Sequence, residues 1–256
     1  MRRGLWVLFS IVAVSAQGAR VILPGDEFVL PALFNRIESH PEILPEGFNL
    51  DSASGKRRRA VPGEWFDYGD VLRLPGPQAF QVIQNENTAW VWGGVFRGKI
   101  GKYLYTDSAL VQSTIALERG WMKVWTRPGK MPTQLVIEAN GDTFAARDAE
   151  FWLHAHERGT ELYIVRGLVS SALCKRTFAG KLFVQLAPKA GEPQKVSQNW
   201  DPDAMEVHIA ASYPALVKIA DTTGFEFARG KLENIYEQFR KKGWRKAHRS
   251  TPLPRD

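Results

Sequence analysis

ERGWMKVWTRPGKMPTQLVIEANGDTFAARDAEFWLHAHERGTELYIVRGLVSS, residues 118–171, alternates side-chain character with a period of two and breaks at turn residues. In residues 120–126, Trp121, Lys123 and Trp125 share one face while Met122, Val124 and Thr126 share the other, as a pleated strand requires. Arg127-Pro128-Gly129-Lys130 stops that strand, because proline fixes φ and glycine admits positive φ. Residues 134–139 are apolar and β-branched, Asn140-Gly141-Asp142 is a turn, and residues 150–156 form a further strand. After a turn at 157–160 comes a strand over 162–169, interrupted by Gly167, which predicts a bulge or a close backbone approach. In residues 150–156 only the Phe151-Leu153-Ala155 face is wholly apolar. That face is expected in the core with Ile164 and one face of residues 165–168, leaving Glu150 and Trp152 on the other side.

The same rhythm extends outward. Residues 68–74 end at Pro75-Gly76-Pro77, and short strands are expected at 79–84, 88–92, 95–100, 103–105 and 109–117, with Gly93-Gly94 ending or bending the second of these. Downstream, strands are expected at 181–186, 206–211, 215–220 and 225–228, with a long loop over 188–203. The rhythm lacks βαβ units, so the fold class is all-β: an antiparallel sandwich or roll of short strands. One short C-terminal helix is expected over 231–242, where Leu232, Ile235, Tyr236 and Phe239 form an apolar stripe and Gly243 ends it.

Four short patterns in this region point to a family. They are Leu117, Gly120 and Val124; Val136-Ile137-Glu138-Ala139; Arg147-Asp148-Ala149-Glu150-Phe151-Trp152-Leu153; and Val165-Arg166-Gly167-Leu168-Val169. Tyr68-Gly69-Asp70-Val71-Leu72 and Ala79-Phe80-Gln81-Val82 precede them as opening strands. Together they resemble the FecR-type periplasmic domain of Gram-negative bacteria, over roughly residues 67–171. The chain departs from that pattern at Asp148 and Ala149, where the family usually carries glycine and threonine, and at Ala139, where it often has proline. What the resemblance implies is a periplasmic sensing or binding role. Its best-known members sit behind one membrane helix and relay a transporter's state to a sigma factor.

The chain ends are read differently. Arg2 and Arg3 precede an apolar run over residues 5–16, and Val14-Ser15-Ala16 or Ala19 offers a cleavage site, so residues 1–19 are expected to be a signal peptide. The run is too short for a span, which needs about 20 apolar residues, and no stable transmembrane anchor is expected. Residues 20–66 form a proline-rich entry segment with short edge strands at 21–23 and 28–30. One or two helical turns are expected over 32–39, and an exposed loop over 51–59 that carries Lys56-Arg57-Arg58-Arg59. Residues 67–175 make the FecR-like domain, 176–229 extra strands or a small second β module, and 230–256 the helix and basic tail. With 34 Lys and Arg against 27 Asp and Glu, a balance that falls to about +5 without Arg2 and Arg3, the charge is too mild and too dispersed to point to nucleic acid. The single Cys174 excludes an internal disulfide and reads as a small buried hydrophobe.

Chemistry is sparse. His154 and His156, two apart on a strand, share a face as metal ligands must, and Glu161 follows after the turn. The spacing is near the first metal motif of the cupins. However, Asp148 stands where a glycine belongs, Gly167 comes one residue early, and no second motif follows, His208 standing alone. A cupin-like metal protein or enzyme using His154, His156 and Glu161 is the alternative; the primary expectation is no cofactor and no metal at this pair. No G-x-S-x-G, Walker or H-E-x-x-H pattern occurs. Five tryptophans lie on strands, and Lys123 between Trp121 and Trp125 makes these three a candidate binding surface for a protein or glycan. The sequence thus predicts an exported, periplasmic, non-enzymatic binding, sensing or scaffold module whose partner is an envelope protein or a glycan.

Overall fold

The computed structural model describes residues 34–38, 48–51, 57–60, 66 and 69–234, apart from 75, 86, 106–110, 129–132, 189–190 and 233. Thirteen strands and two helices occur in it: β1 Phe34–Glu38, β2 Phe48–Asp51, β3 Arg57–Ala60, β4 Val71–Leu74, β5 Ala79–Asn85, β6 Thr88–Tyr105, β7 Val111–Thr126, β8 Thr133–Ala139, β9 Asp142–His156, β10 Gly159–Ser171, β11 Arg176–Ala179, β12 Leu182–Leu186, β13 Pro193–Ser197, α1 Pro202–Ser212 and α2 Pro214–Ala228. The strands join one sheet in the order β13-β12-β10-β9-β8-β7-β6-β4-β2-β3, with β5 on β6, β1 on β5 and β11 on β10. All pairings are antiparallel except β7 with β8, which run parallel from Val111↔Thr133 to Ala116↔Glu138. The all-β reading holds, with a mixed rather than purely antiparallel sheet.

Four long strands, β6, β7, β9 and β10, build the fold because each turns a corner. In β7, Ile115 and Leu117 enter the main apolar cluster from odd positions, whereas Met122 and Val124 enter it from even ones. The inversion falls at Gly120, whose φ of 105 is open only to glycine. In β9, Ala146 and Phe144 are buried on one side of Asp148 and Ala149, Phe151 and Leu153 on the other, with the parity reversed again. In β10, Leu162 and Ile164 give way to Val169 across Gly167. The β9–β10 ladder shifts register twice here, between Ile164 and Arg166 and between Arg166 and Leu168. Two compensating bulges re-aim both strands together. Each strand therefore sends residues from both halves into one shared core.

The bend brings the ends of β9 together. Asn140, in the turn before β9, donates through Nδ2 to the carbonyls of His156 (3.2 Å) and Gly159 (2.6 Å) and to Thr160 Oγ1 (3.0 Å), on either side of the turn after it. A 15-residue strand would span about 50 Å if straight, so this contact requires a closed roll. Inside it, Phe80, Trp92 and Phe96 pack as an aromatic cluster, Trp92 stacking on Phe96 at 4.5 Å and Phe80 meeting Trp92 edge-on at 5.2 Å.

The outer face of one half carries a second apolar cluster, Ala89, Val91, Trp121, Trp125 and Trp152, and α1 and α2 close over it with Ile209, Leu216, Ile219, Ala220 and Phe227. Gly93 lies directly under Leu216: a Cβ there would meet Leu216 Cδ1 at 2.8 Å. Gln81 Nε2 donates to Thr223 Oγ1 (2.6 Å), whose hydroxyl donates back to the Ile219 carbonyl in its own helix (2.6 Å).

Several expectations are corrected. Residues 206–211, 215–220 and 225–228 are helical, not strands, because Asp201 caps α1 by accepting from the Asp203 amide and a proline opens each helix. Their short apolar runs carry no period that separates buried strand from buried helix. Residues 34–38 form a strand on β5, not helical turns. Residues 51–59 are not one loop: Asp51 ends β2, and Arg57, Arg58 and Arg59 lie on β3, paired with it from Phe48↔Ala60 to Asp51↔Arg57. The supposed long loop over 188–203 contains β13, paired with β12. Leu168 is exposed, since the bulge at Gly167 turns it out of the core. β11, β12 and β13 extend the same sheet. The signal peptide (1–19), the strands at 21–23 and 28–30, most of the helix over 231–242 and the tail lie outside the described residues.

Candidate functional site

The outer face under the helices continues past their cover onto the β9–β10 hairpin, and the sequence-predicted histidines stand there. Register places Trp121 of β7 opposite His154 of β9, and His154 opposite Glu161 of β10. One row across three strands therefore carries an indole, an imidazole and a carboxylate. His156 and Tyr163 flank that row, because residues two apart on a strand share a face.

The side chains meet closely. His154 Nδ1 lies 3.2 Å from Glu161 Oε2, and His156 Nε2 lies 3.8 Å from Glu161 Oε1. Tyr163 donates its phenolic hydrogen to Glu161 Oε2 at 3.1 Å. The His154 ring stacks flat on Trp121, with centroids 4.0 Å apart and planes within 2°, and the two imidazoles sit 4.8 Å apart. His156 Nδ1 accepts the Arg158 backbone N–H (3.2 Å). His154, His156 and Glu161 are each about a quarter exposed, so the group is sheltered but reachable.

The electrostatics follow from these contacts. The hydrogen bond from His154 holds the Glu161 carboxyl below the usual glutamate range, aided by Tyr163 and opposed by burial. Burial lowers the His156 imidazole, the neighbouring His154 adds to this, and Glu161 opposes it. Burial and the Glu161 charge push the Tyr163 phenol well above its ordinary value, so it stays a hydrogen-bond donor throughout the physiological range. Among the described residues, the only group of three or more His, Cys, Asp or Glu side chains placed to hold a metal ion is His154, His156 and Glu161, whose donor atoms all fall within 4.8 Å of one another.

The candidate surface of Trp121, Lys123 and Trp125 is arranged otherwise. All three are buried, Lys123 at 6% exposure, because α1 and α2 cover them. Lys123 Nζ lies over the Trp152 ring at 4.9 Å and the Trp125 ring at 5.3 Å, and is paired with Glu206 (2.7 Å) and Glu150 (3.6 Å). Glu206 also accepts from Trp152 Nε1 at 3.1 Å. A lysine between two tryptophans on one face signalled a caged cation rather than an exposed platform, and the cage is closed by Glu206, in a segment that the sequence reading took for a strand.

Sequence reasoning also passed over Asn140, Tyr163 and Glu206. Asn140 was legible only as a turn former, although an Asn-Gly turn also supplies a side chain free to bond elsewhere. Tyr163, two residues beyond Glu161, shares its face by simple alternation. Compared with known proteins, the chain matches no family model, no curated protein and no solved structure.

Proposed function

We propose that this chain is an exported binding, sensing or scaffold module of the FecR type, acting without catalysis in the cell envelope of a Gram-negative bacterium. What supports the reading is the work done by the motif positions. Leu117 and Val124 lie seven apart and so would point to opposite faces of a regular strand, yet both are in one core; Gly120 between them makes this geometrically consistent. Gly167 does the same for Ile164 and Val169. Asp148 has a φ of 45, a left-handed conformation costly for most residues and free for glycine, at the place where the family pattern carries glycine. The spacing of the pattern is thus the spacing of the corners of a roll.

In this role the roll offers a rigid frame, and its partner is an envelope protein or a glycan. No described helix is long and apolar enough to cross a membrane, and the transmembrane relay of the best-known members forms no part of the proposal. The test joins location to contact. The processed chain should be recovered from the periplasm with its N-terminus just after Ala16 or Ala19. Photocrosslinking in intact cells, from exposed positions such as Val196 and Val207, should trap a discrete envelope component. An unprocessed cytoplasmic chain starting at Met1 overturns the reading.

A further inference from the structure

We propose that His154, His156 and Glu161 bind a divalent first-row transition metal, with zinc the preferred ion, on the outer lip of the β9–β10 hairpin. The argument begins with the donors. Two imidazole nitrogens and one carboxylate form a borderline set suited to zinc, whereas calcium and magnesium favour shells of oxygen donors.

The positions follow from the ladder. His154 and Glu161 face each other across the hairpin, and His156 adds a third donor from the same face. Ligands about 2.0–2.2 Å from zinc stand roughly 3–3.5 Å apart. The three donor atoms already lie within 4.8 Å of one another, so small side-chain rotations close the set. The Arg158 amide occupies His156 Nδ1, and the other ring nitrogen, Nε2, is the one that faces Glu161.

Outer contacts argue for a built site. Metal-binding side chains are usually oriented by neighbours, and here the Tyr163 hydroxyl holds Glu161 Oε2 (3.1 Å) while Trp121 fixes the plane of the His154 ring. Asn140 ties down the turn next to His156. A cross-strand ion pair would need only His154 and Glu161; the third donor and the two orienting contacts are surplus to it. The sequence spacing pointed away from metal because it was compared with a cupin pattern, which expects a second histidine motif. The hairpin needs none.

The test is calorimetric titration of the tag-free processed chain with zinc chloride, beside magnesium and calcium chlorides. One equivalent of zinc should bind, and H156A and E161Q should each weaken it at least tenfold. H208A, a histidine on the exposed side of α1, should leave it unchanged. E161Q keeps the size of the side chain, so circular dichroism can establish that it folds. Cobalt(II) loading gives a second readout: its visible absorption should appear in the wild type and be lost in H156A. Absence of stoichiometric zinc binding, zinc held equally by folded E161Q, or calcium or magnesium bound ahead of zinc overturns the proposal. The titration involves no partner, so its failure is distinguishable from failure of the binding-module reading.

Discussion

Glu206 of α1 lies 2.7 Å from Nζ of Lys123 on β7, and this pair fastens the helices to the sheet. Lys123 is buried between two tryptophan rings, so its charge depends on Glu206 and on Glu150, 3.6 Å away. Removing one partner of a buried pair leaves an uncompensated charge. E206A should therefore destabilise the fold by about 2–3 kcal/mol, less than for a fully buried pair because Glu206 is partly exposed and Glu150 remains. Urea unfolding followed by tryptophan fluorescence measures it. A cost near zero would mean that the helices are held by their apolar contacts and by the Gln81–Thr223 hydrogen bond.

Asp221 on α2 gives a pH signature. Burial raises its carboxyl above the ordinary 3.8, Glu206 raises it further, and Lys123 opposes them. A raised carboxyl lets the folded state keep its proton at pH values where the unfolded chain has lost it. Its stabilising effect is complete below pH 3.8 and is lost as pH rises through the folded value. D221N should thus raise the melting temperature at neutral pH, and the gain should vanish near pH 3. Melting curves of both proteins between pH 3 and 7 decide it; a constant gain across that range would contradict this origin.

Phe151 and His154 lie on opposite faces of β9, and their truncations should differ. Phe151 is fully buried in the main core, so F151A should cost about 3–5 kcal/mol. His154 is three-quarters covered and stacked on Trp121, so H154A should cost about 1 kcal/mol, the range of an aromatic contact. Equal losses in denaturant titration would show that the hairpin face is as structural as the core.

The corner between β9 and β10 can be tested at Asp148 and Gly167. A Cβ at Gly167 would overlap the Asp148 carbonyl oxygen and crowd Ala149 Cα, at a φ of 84, so G167A should destabilise strongly. At Asp148, with its φ of 45, glycine should be more stable than alanine by about 1 kcal/mol. The Asp148 side chain meets exposed Arg166 at 3.4 Å, a contact worth little. Comparing D148G with D148A by chemical denaturation isolates the backbone term.

Much of the fold was readable from residues 118–171, where alternation marked the strands and put Phe151, Leu153 and Ile164 in the core. Periodicity could not foresee that strands as long as β6 and β7 run on past their glycines, so β6 was read as three strands and β7 as two. The corner residues were visible: Gly167 was read as a bulge, and Asp148 as a departure from a glycine. The helices escaped because their apolar runs at 206–211, 215–220 and 225–228 were short enough to read as strands, and in α2 the polar Thr222-Thr223-Gly224 stood between two of them. In α2 those threonine hydroxyls donate back to the carbonyls of Lys218 and Ile219, and Gly224 lies against Trp125. The histidines were named, but Trp121 and Tyr163, which position the group, are separated from them by register rather than by sequence motif.

The contact from Asn140 that closes the roll also gives the molecule a chemical clock. Asn140 precedes Gly141, the neighbour that least hinders attack of a backbone nitrogen on the side-chain amide; ammonia leaves, and water then opens the cyclic imide to an aspartate or its isomer. The replaced group would then present a negative oxygen, without a hydrogen to donate, to the His156 and Gly159 carbonyls that Asn140 Nδ2 now serves. While the fold is intact, those bonds hold the amide in place; once the turn opens, conversion prevents it from closing the same way. Loss of the roll would then be recorded as an irreversible covalent scar at a single side chain.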